Sequence, residues 1–199
     1  IASGADCVLN TVNGDSNLGL FAALAAAKVD PAKVPVMSTS IAEDELRSLL
    51  PEQVTGHYAA SCYFQSLDTP ANRDWVRDFR GEFGRDRVTG DPMEPDWCLF
   101  HLWKQAVEKA GSFETEAVRQ AFRDGLEFAG PGGTVRLDAP TQHTTKWCRI
   151  GRIRPDRQFE LVHESAGPIA PDPYPQVAFP GWSVDWTKDG VTRGPEVAI

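Results

Sequence analysis

Asp6-Cys7-Val8-Leu9-Asn10-Thr11-Val12, followed at once by Asn13-Gly14-Asp15-Ser16, decides how this chain is read. The first stretch is a short apolar run bounded by turn residues, the pattern of a buried strand. A helix follows over residues 16–28, with Leu20, Phe21, Leu24 and Ala25 along one stripe. Val34-Pro35-Val36-Met37 is a second strand, and Ser40-Ile41-Ala42-Glu43 opens a second helix as a capping box. Residues 54–64 read as a third strand. The β-α-β-α-β order implies right-handed crossovers and a parallel sheet, an α/β architecture.

The pattern changes after Ser66. Thr69-Pro70 starts a helix with proline in its first turn, and Trp75, Phe79 and Phe83 recur every four residues. Asp91-Pro92-Met93-Glu94 reads as an N-cap followed by a stripe of Leu99, Leu102, Trp103, Ala106 and Ala110 that stops near Gly111. A further helix covers residues 115–125. Residues 67–128 are thus expected to be helical. Gly130-Pro131-Gly132-Gly133 breaks the run as a turn. Strands follow over 134–137, 146–153 and 158–163, the last two joined as a hairpin at Pro155-Asp156. From Ser165 onward proline and glycine are dense, and the tail is expected to pack through Trp182 and Trp186. The helices need a sheet to cover, which is expected in a second lobe.

Composition narrows the function. The chain has 199 residues, 41% hydrophobic and 24% charged, enough to bury a core. Its net charge of -8 argues against nucleic acid as a partner, since a phosphate backbone needs clustered Lys and Arg. No run approaches the roughly 18 apolar residues of a membrane span. Residue 1 is Ile, and the chain opens in mid-architecture, as expected of a fragment or a processed form. Missing N-terminal signals therefore carry no information on location.

Catalytic constellations are scarce. His57, His101, His143 and His163 are scattered, and His101 reads as a satisfied packing residue on a helix. No nucleophile elbow, zinc-protease helix or P-loop is present, so no catalytic residue, metal or cofactor is expected. Pro131 removes a donor from the glycine-rich turn, and a strand follows it, so it is no phosphate cradle. Capping accounts for Asp91 and Glu94 more simply than a pair of catalytic carboxylates. Cys7, Cys62, Cys98 and Cys148 have no metal-ligand spacing and read as small buried hydrophobes. One disulfide stays open, because sequence alone cannot pair four cysteines.

The first two strands both end in small polar residues, Asn10 to Asn17 and Ser38-Thr39-Ser40. In an open α/β sheet ligands bind outside the carboxyl ends of the strands. Capping and turn formation use the same residue types, so both roles stay open at this point.

Several strings resemble the urea and short-chain amide-binding proteins of ABC importers. They are residues 8–17, Ser40-Ile41-Ala42-Glu43-Asp44-Glu45-Leu46-Arg47, Ser66-Leu67-Asp68-Thr69-Pro70-Ala71-Asn72, Val88-Thr89-Gly90-Asp91-Pro92-Met93-Glu94, and Ala106-Val107-Glu108-Lys109-Ala110-Gly111. Pro171-Asp172-Pro173-Tyr174 resembles a related branch of cytoplasmic amide sensors that control amidase expression. The resemblance implies a type I periplasmic-binding fold, two α/β lobes with the ligand between them, of which this chain holds the C-terminal half. Residues 1–66 would begin the C-terminal lobe. Residues 67–128 would be helices of an incomplete N-terminal lobe, and residues 129–199 would return to the C-terminal lobe and form the tail.

The same resemblance implies a binding protein rather than an enzyme, periplasmic or lipid-anchored outside the cell. Its partners would be a small neutral amide or urea and a membrane permease. Related amino-acid binders carry an acidic residue where this chain has Ser40. A hydroxyl pairs with a neutral amide but cannot balance a buried cation. Asn13 stands where the sensors have an apolar residue, which favours the importer branch over the sensor. The candidate ligand-binding residues are Thr11, Asn13, Asp15, Ser16, Ser38, Ser40 and Tyr63.

Overall fold

The computed structural model describes residues 4–173. Tyr174, Trp182, Trp186 and the expected tail from residue 174 onward lie outside the described residues. Strand β1 (Val8–Asn10), helix α1 (Ser16–Ala26), β2 (Val36–Ser38), the short helices α2 (Glu43–Arg47) and α3 (Pro51–Val54), and β3 (Tyr58–Ser61) come first. β1, β2 and β3 pair in parallel, Val8 with Val36 and Met37 with Tyr58. The chain then builds α4 (Pro70–Phe83), α5 (Met93–Ala110), α6 (Thr115–Arg123) and the hairpin β4 (Glu127–Gly130) and β5 (Gly133–Arg136). It returns as β6 (Arg149–Ile153), antiparallel to β3, and β7 (Phe159–Glu164), antiparallel to β6. The result is one five-stranded sheet in the order β1-β2-β3-β6-β7. The expected early and late half-sheets are therefore a single sheet joined at β3 and β6.

The main core forms on this sheet from Phe21, Val36, Leu46, Val54, Phe64, Ile153 and Phe159, all nearly or fully buried. Phe64 and Phe159 sit with ring centroids 4.5 Å apart. Gly151 makes that approach possible, because a Cβ there would meet Phe64 Cζ at 2.8 Å and Phe159 Cβ at 2.9 Å. The helical block has its own core, in which Cys98, Leu102 and Val135 gather Phe122, Leu126 and Phe128. The hairpin thus packs with the helices, and β4 is a strand at the end of the stretch expected to be helical.

Thr69 caps α4 as its sequence implies, its hydroxyl accepting from Asn72 N at 3.1 Å. Gly111 ends α5 in the left-handed region at φ 61°.

Several expectations are corrected. β1 is an edge strand, and Leu9 on it is 69% exposed rather than buried. Ser40 does not cap α2. The N-cap is Ala42, whose N–H donates to Glu45 Oε2 at 2.8 Å, so the reciprocal carboxylate lies two residues beyond the expected Glu43. Glu43 is fully buried and accepts from Gln65 N at 2.7 Å. Asp91 and Glu94 cap nothing, since α5 starts at Met93 without a side-chain cap. Asp91 Oδ1 accepts from Cys62 N and Tyr63 N at 2.8 and 2.7 Å. Leu99 and Trp103 are exposed; the buried face of α5 is Glu94, Cys98, Leu102 and Ala106. Cys7 and Cys148 are exposed, while Cys98 alone among the cysteines is buried. His101 does pack, stacked on Phe128 at 4.6 Å, but its buried Nε2 has no partner among the described residues.

Candidate functional site

The carboxyl ends of β1, β2 and β3 open onto one side of the sheet, where a cavity of about 260 Å³ lies between the three strand ends and the start of α5. Asn13 and Gly14 line it from the loop after β1, Thr39 and Ser40 from the loop after β2, and Ser61 from the end of β3. Glu45 and Asp91 complete its polar wall.

A buried amide network holds the first two strand ends in place. Asn10 Nδ2 donates to Asn17 Oδ1 at 2.8 Å and to Ser38 Oγ at 2.9 Å, while Asn10 Oδ1 accepts from Val12 N at 2.9 Å. Asn17 Nδ2 in turn donates to the carbonyls of Val12 and Ser40 at 2.8 and 3.2 Å. Both asparagines are essentially inaccessible to solvent. Each polar atom in this network has its partner, as burial requires. The two loops therefore present fixed backbone to the cavity.

The candidate residues separate on this geometry. Asn13 and Ser40 line the cavity. Ser40 Oγ donates its one proton to Val12 O at 2.5 Å, which leaves the hydroxyl oxygen as an acceptor. Thr11, Asp15 and Ser16 are exposed and lie outside this cavity's lining. Ser38 is fully buried beneath the cavity in the amide network.

Tyr63 is also fully buried, its hydroxyl 2.7 Å from Asn72 Oδ1 and 2.8 Å from Thr89 Oγ1. Burial pushes its phenol well above the ordinary range. Its role in the structure is to anchor the segment that leaves the sheet onto α4. Thr39, Ser61, Glu45 and Asp91 are lining residues that sequence reasoning did not single out. Only Thr39 carried a signal, as a member of the polar string after β2.

The acceptor character of the wall is its main chemical property. Asp91 uses one carboxylate oxygen on two backbone N–H groups, and Glu45 uses one on Ala42 N. Their other oxygens, with Ser40 Oγ, make the wall suited to a ligand rich in N–H donors. Burial raises the Asp91 carboxyl above the usual carboxylate range. No group of three or more His, Cys, Asp or Glu suited to a metal ion occurs among the described residues.

A larger depression of about 940 Å³ runs along α4 beside Gln65–Asp68 and carries Arg73, Arg77, Arg80 and Arg85. Arg73 and Arg77 pair with Asp68, Asp74 and Asp78 at the surface. An apolar groove of about 660 Å³ lies between Phe79, Phe83, Met93, Trp97 and Phe100. Neither lies at strand ends, and neither has the fixed polar backbone of the smaller cavity.

The fold has known counterparts. A solute-binding protein of an ABC transporter from Rhodopseudomonas palustris BisB5, solved with 3,4-dihydroxybenzoic acid, superposes with a TM-score of 0.75 at 18% identity, over 86% of this chain and 47% of that one. An amino acid ABC transporter substrate-binding protein from Pseudomonas fluorescens Pf-5 gives 0.71 at 19% identity, over 86% and 46%. At these identities the likeness is one of fold. A limonene hydroxylase from Geobacillus stearothermophilus is 30% identical over 118 residues, 59% of this chain and 21% of that protein. The chain thus spans about half the length of the two solved structures and about a fifth of that relative. The family described as periplasmic binding protein domain matches residues 1–179. With that match covering most of its length, the chain belongs to the periplasmic binding protein domain family.

Proposed function

We propose that this chain is part of the substrate-binding component of an ABC importer and that its strand-end cavity forms one wall of the site for urea or a short-chain amide. The observation that carries this reading is the row of acceptors at that wall. Ser40 Oγ has spent its proton on Val12 O, and Asp91 and Glu45 each keep a carboxylate oxygen beyond their backbone bonds. Urea and small amides offer several N–H donors in little volume, which suits a cavity of about 260 Å³. The facing wall would come from the other lobe of the complete protein. Ligand would hold the closed state of a hinge equilibrium, and the closed form would dock on a membrane permease. Such a protein works in the periplasm, or outside the cell on a lipid anchor, and is not an enzyme.

A second reading is favoured by one observation, the two carboxylates of the wall. Asp91 and Glu45 could hold an ammonium group, which would make the ligand an amino acid. Asp91 already spends Oδ1 on the backbone N–H groups of Cys62 and Tyr63, and Glu45 spends Oε2 on Ala42 N, so neither offers a cation a bidentate carboxylate, which supports the neutral ligand instead.

Ser40 tests the reading. Ser40→Ala removes an acceptor from the wall and the bond to Val12 O. In the protein that carries this chain it is expected to weaken urea or acetamide binding by about fivefold or more, equivalent to roughly 1 kcal/mol. Glu116→Ala, on the exposed face of α6, is the control expected to leave affinity unchanged. Equal affinities for wild type and Ser40→Ala in isothermal titration would place the ligand elsewhere.

A further inference from the structure

We propose that Cys62 and Cys148 form a disulfide that joins the two segments through which the chain leaves and re-enters the main sheet. The argument starts from register. β3 and β6 are antiparallel, with Ala60 opposite Ile150 and Ser61 opposite Arg149. The ladder ends at Ser61 and Arg149, and continuing its register by one step sets Cys62 opposite Cys148.

Their backbones identify the kind of pair. Cys148 N donates to Ser165 Oγ at 3.2 Å, and Cys148 O accepts from Ser165 N at 2.9 Å, both on the β7 side. Cys62 N donates to Asp91 Oδ1, and Cys62 O accepts from the Arg149 guanidinium. Neither residue spends its backbone on the other, as expected of a non-hydrogen-bonded position in the continued register. In such pairs the Cα atoms approach to about 4.5 Å and the two side chains share a face. A disulfide spans Cα separations of roughly 4.4–6.8 Å, a range that includes such a pair.

The other two cysteines are placed differently. Cys98 is buried in the helical block, donating to Glu94 Oε1 at 3.0 Å, and Cys7 is exposed just before the far edge strand. All four carry free thiols in the structure.

The chemistry needs a disulfide-bearing oxidant, such as oxidised glutathione or an oxidised dithiol protein. The exposed Cys148 thiolate attacks one sulfur of the oxidant and releases the first thiolate. Cys62, as thiolate, then attacks the Cys148 sulfur of the mixed disulfide and releases the second. Two protein thiols become one disulfide, the oxidant becomes two thiols, and the two protons pass to them. Burial and the nearby Asp91 carboxylate push the Cys62 thiol up to about 11. Its thiolate is thus costly in place, which slows the second step but favours the uncharged disulfide once formed. The bond closes a loop around the whole helical block, from just after β3 to just before β6. Long loops of this kind restrict the unfolded chain strongly.

The test uses the full chain, incubated with a glutathione redox mixture, denatured without reductant, blocked with iodoacetamide, digested and analysed by mass spectrometry. The expected product is one peptide pair joined through Cys62 and Cys148, two hydrogen atoms lighter than its parts, with Cys98 recovered blocked. Oxidised wild type should also melt several degrees higher than reduced wild type, a difference that Cys62→Ser and Cys148→Ser each abolish. Recovering Cys62 and Cys148 separately, as blocked thiols or glutathione adducts, overturns the proposal. Finding either of them joined to Cys7 overturns it too.

Discussion

Lys146→Met is expected to destabilise the fold by about 3 kcal/mol. Glu94 is 1% exposed and lies at the start of α5. Its Oε1 accepts from Cys98 Sγ at 3.0 Å and Gly132 N at 3.3 Å, and Lys146 Nζ donates to its Oε2 at 2.6 Å. Lys146 keeps 22% of its side chain exposed, so it is the partner that loses less hydration on pairing. Removing it leaves a buried carboxylate with two weaker donors and no countercharge. A paired replacement separates the cost of an orphaned charge from that of lost packing. Glu94→Gln still offers a carbonyl oxygen to Gly132 N. The double variant Lys146→Met/Glu94→Gln should therefore recover most of the lost stability, to within about 1 kcal/mol of wild type. Guanidinium unfolding is the suitable measurement, since urea is the proposed ligand. Equal losses in the single and double variants would show that the ion pair is not what holds this junction.

The second large effect is a pH dependence centred on Glu43. This carboxyl is fully buried at the start of α2, and its Oε2 has no partner among the described residues. Burial, with smaller contributions from Asp91 and Glu45, pushes it up to about 8, although Gln65 N donates to Oε1 and favours the charged form. An unfolded glutamate titrates near 4.3. Between those values the folded chain holds a proton that the unfolded chain has lost. Stability contributed by Glu43 is therefore fully present below about 4, declines as pH rises toward 8, and levels off above that. The whole change is about 5 kcal/mol. Glu43→Gln keeps the acceptor for Gln65 N and cannot ionise. It should match wild type near pH 4 and exceed it increasingly up to pH 8, measured by thermal or guanidinium unfolding across that range. Parallel pH profiles for the two proteins would mean that Glu43 is already ionised in the folded state.

These two carboxylates also show what the sequence concealed. Ser40-Ile41-Ala42-Glu43 has the composition of a capping box, yet α2 begins two residues later and Glu45 supplies the reciprocal bond to Ala42 N. A local pattern cannot reveal that Glu43 is claimed by Gln65, 22 positions away. Asp91 is the same case, a cap in composition and a tertiary anchor for Cys62 and Tyr63 in fact.

Helix α5 was legible in extent, from its proline-rich start to Gly111, but not in orientation. It has two apolar flanks. The one that carries Glu94, Cys98, Leu102 and Ala106 is buried, and the one with Leu99 and Trp103 faces outward. Periodicity measures amphipathicity and is silent on which flank meets a neighbour. The early β-α-β order was readable because it depends on local runs of apolar residues and on turns. The pairing of β3 with β6, some ninety residues apart, was not.

The candidate site was legible to a similar degree. Strand-end polar residues pointed to a side of the sheet that holds a cavity, and Asn13 and Ser40 line it. What the pattern could not separate was lining from support. Ser38 and Asn10 share the composition of Ser40 and Asn13, but strand pleat turns the first two into the buried network below the cavity. Tyr63, inside the run 54–64 read as a strand, suited strand-core packing at least as well as a place in the cleft. Its hydroxyl is instead held by Asn72 and Thr89, contacts that arise only once the helical block folds back. Asp91 reaches the cavity from that same block and carried no strand-end signal.

The central claim is that the acceptor wall at the ends of β1, β2 and β3 serves a small neutral N–H donor. It is tested most directly by isothermal titration of the protein that carries this chain with urea, acetamide, leucine and benzoate in parallel. The account predicts saturable one-to-one binding of urea or acetamide, weakened by Ser40→Ala, with no detectable heat of binding from leucine or benzoate. Saturable binding of leucine or benzoate with none of urea or acetamide would contradict it.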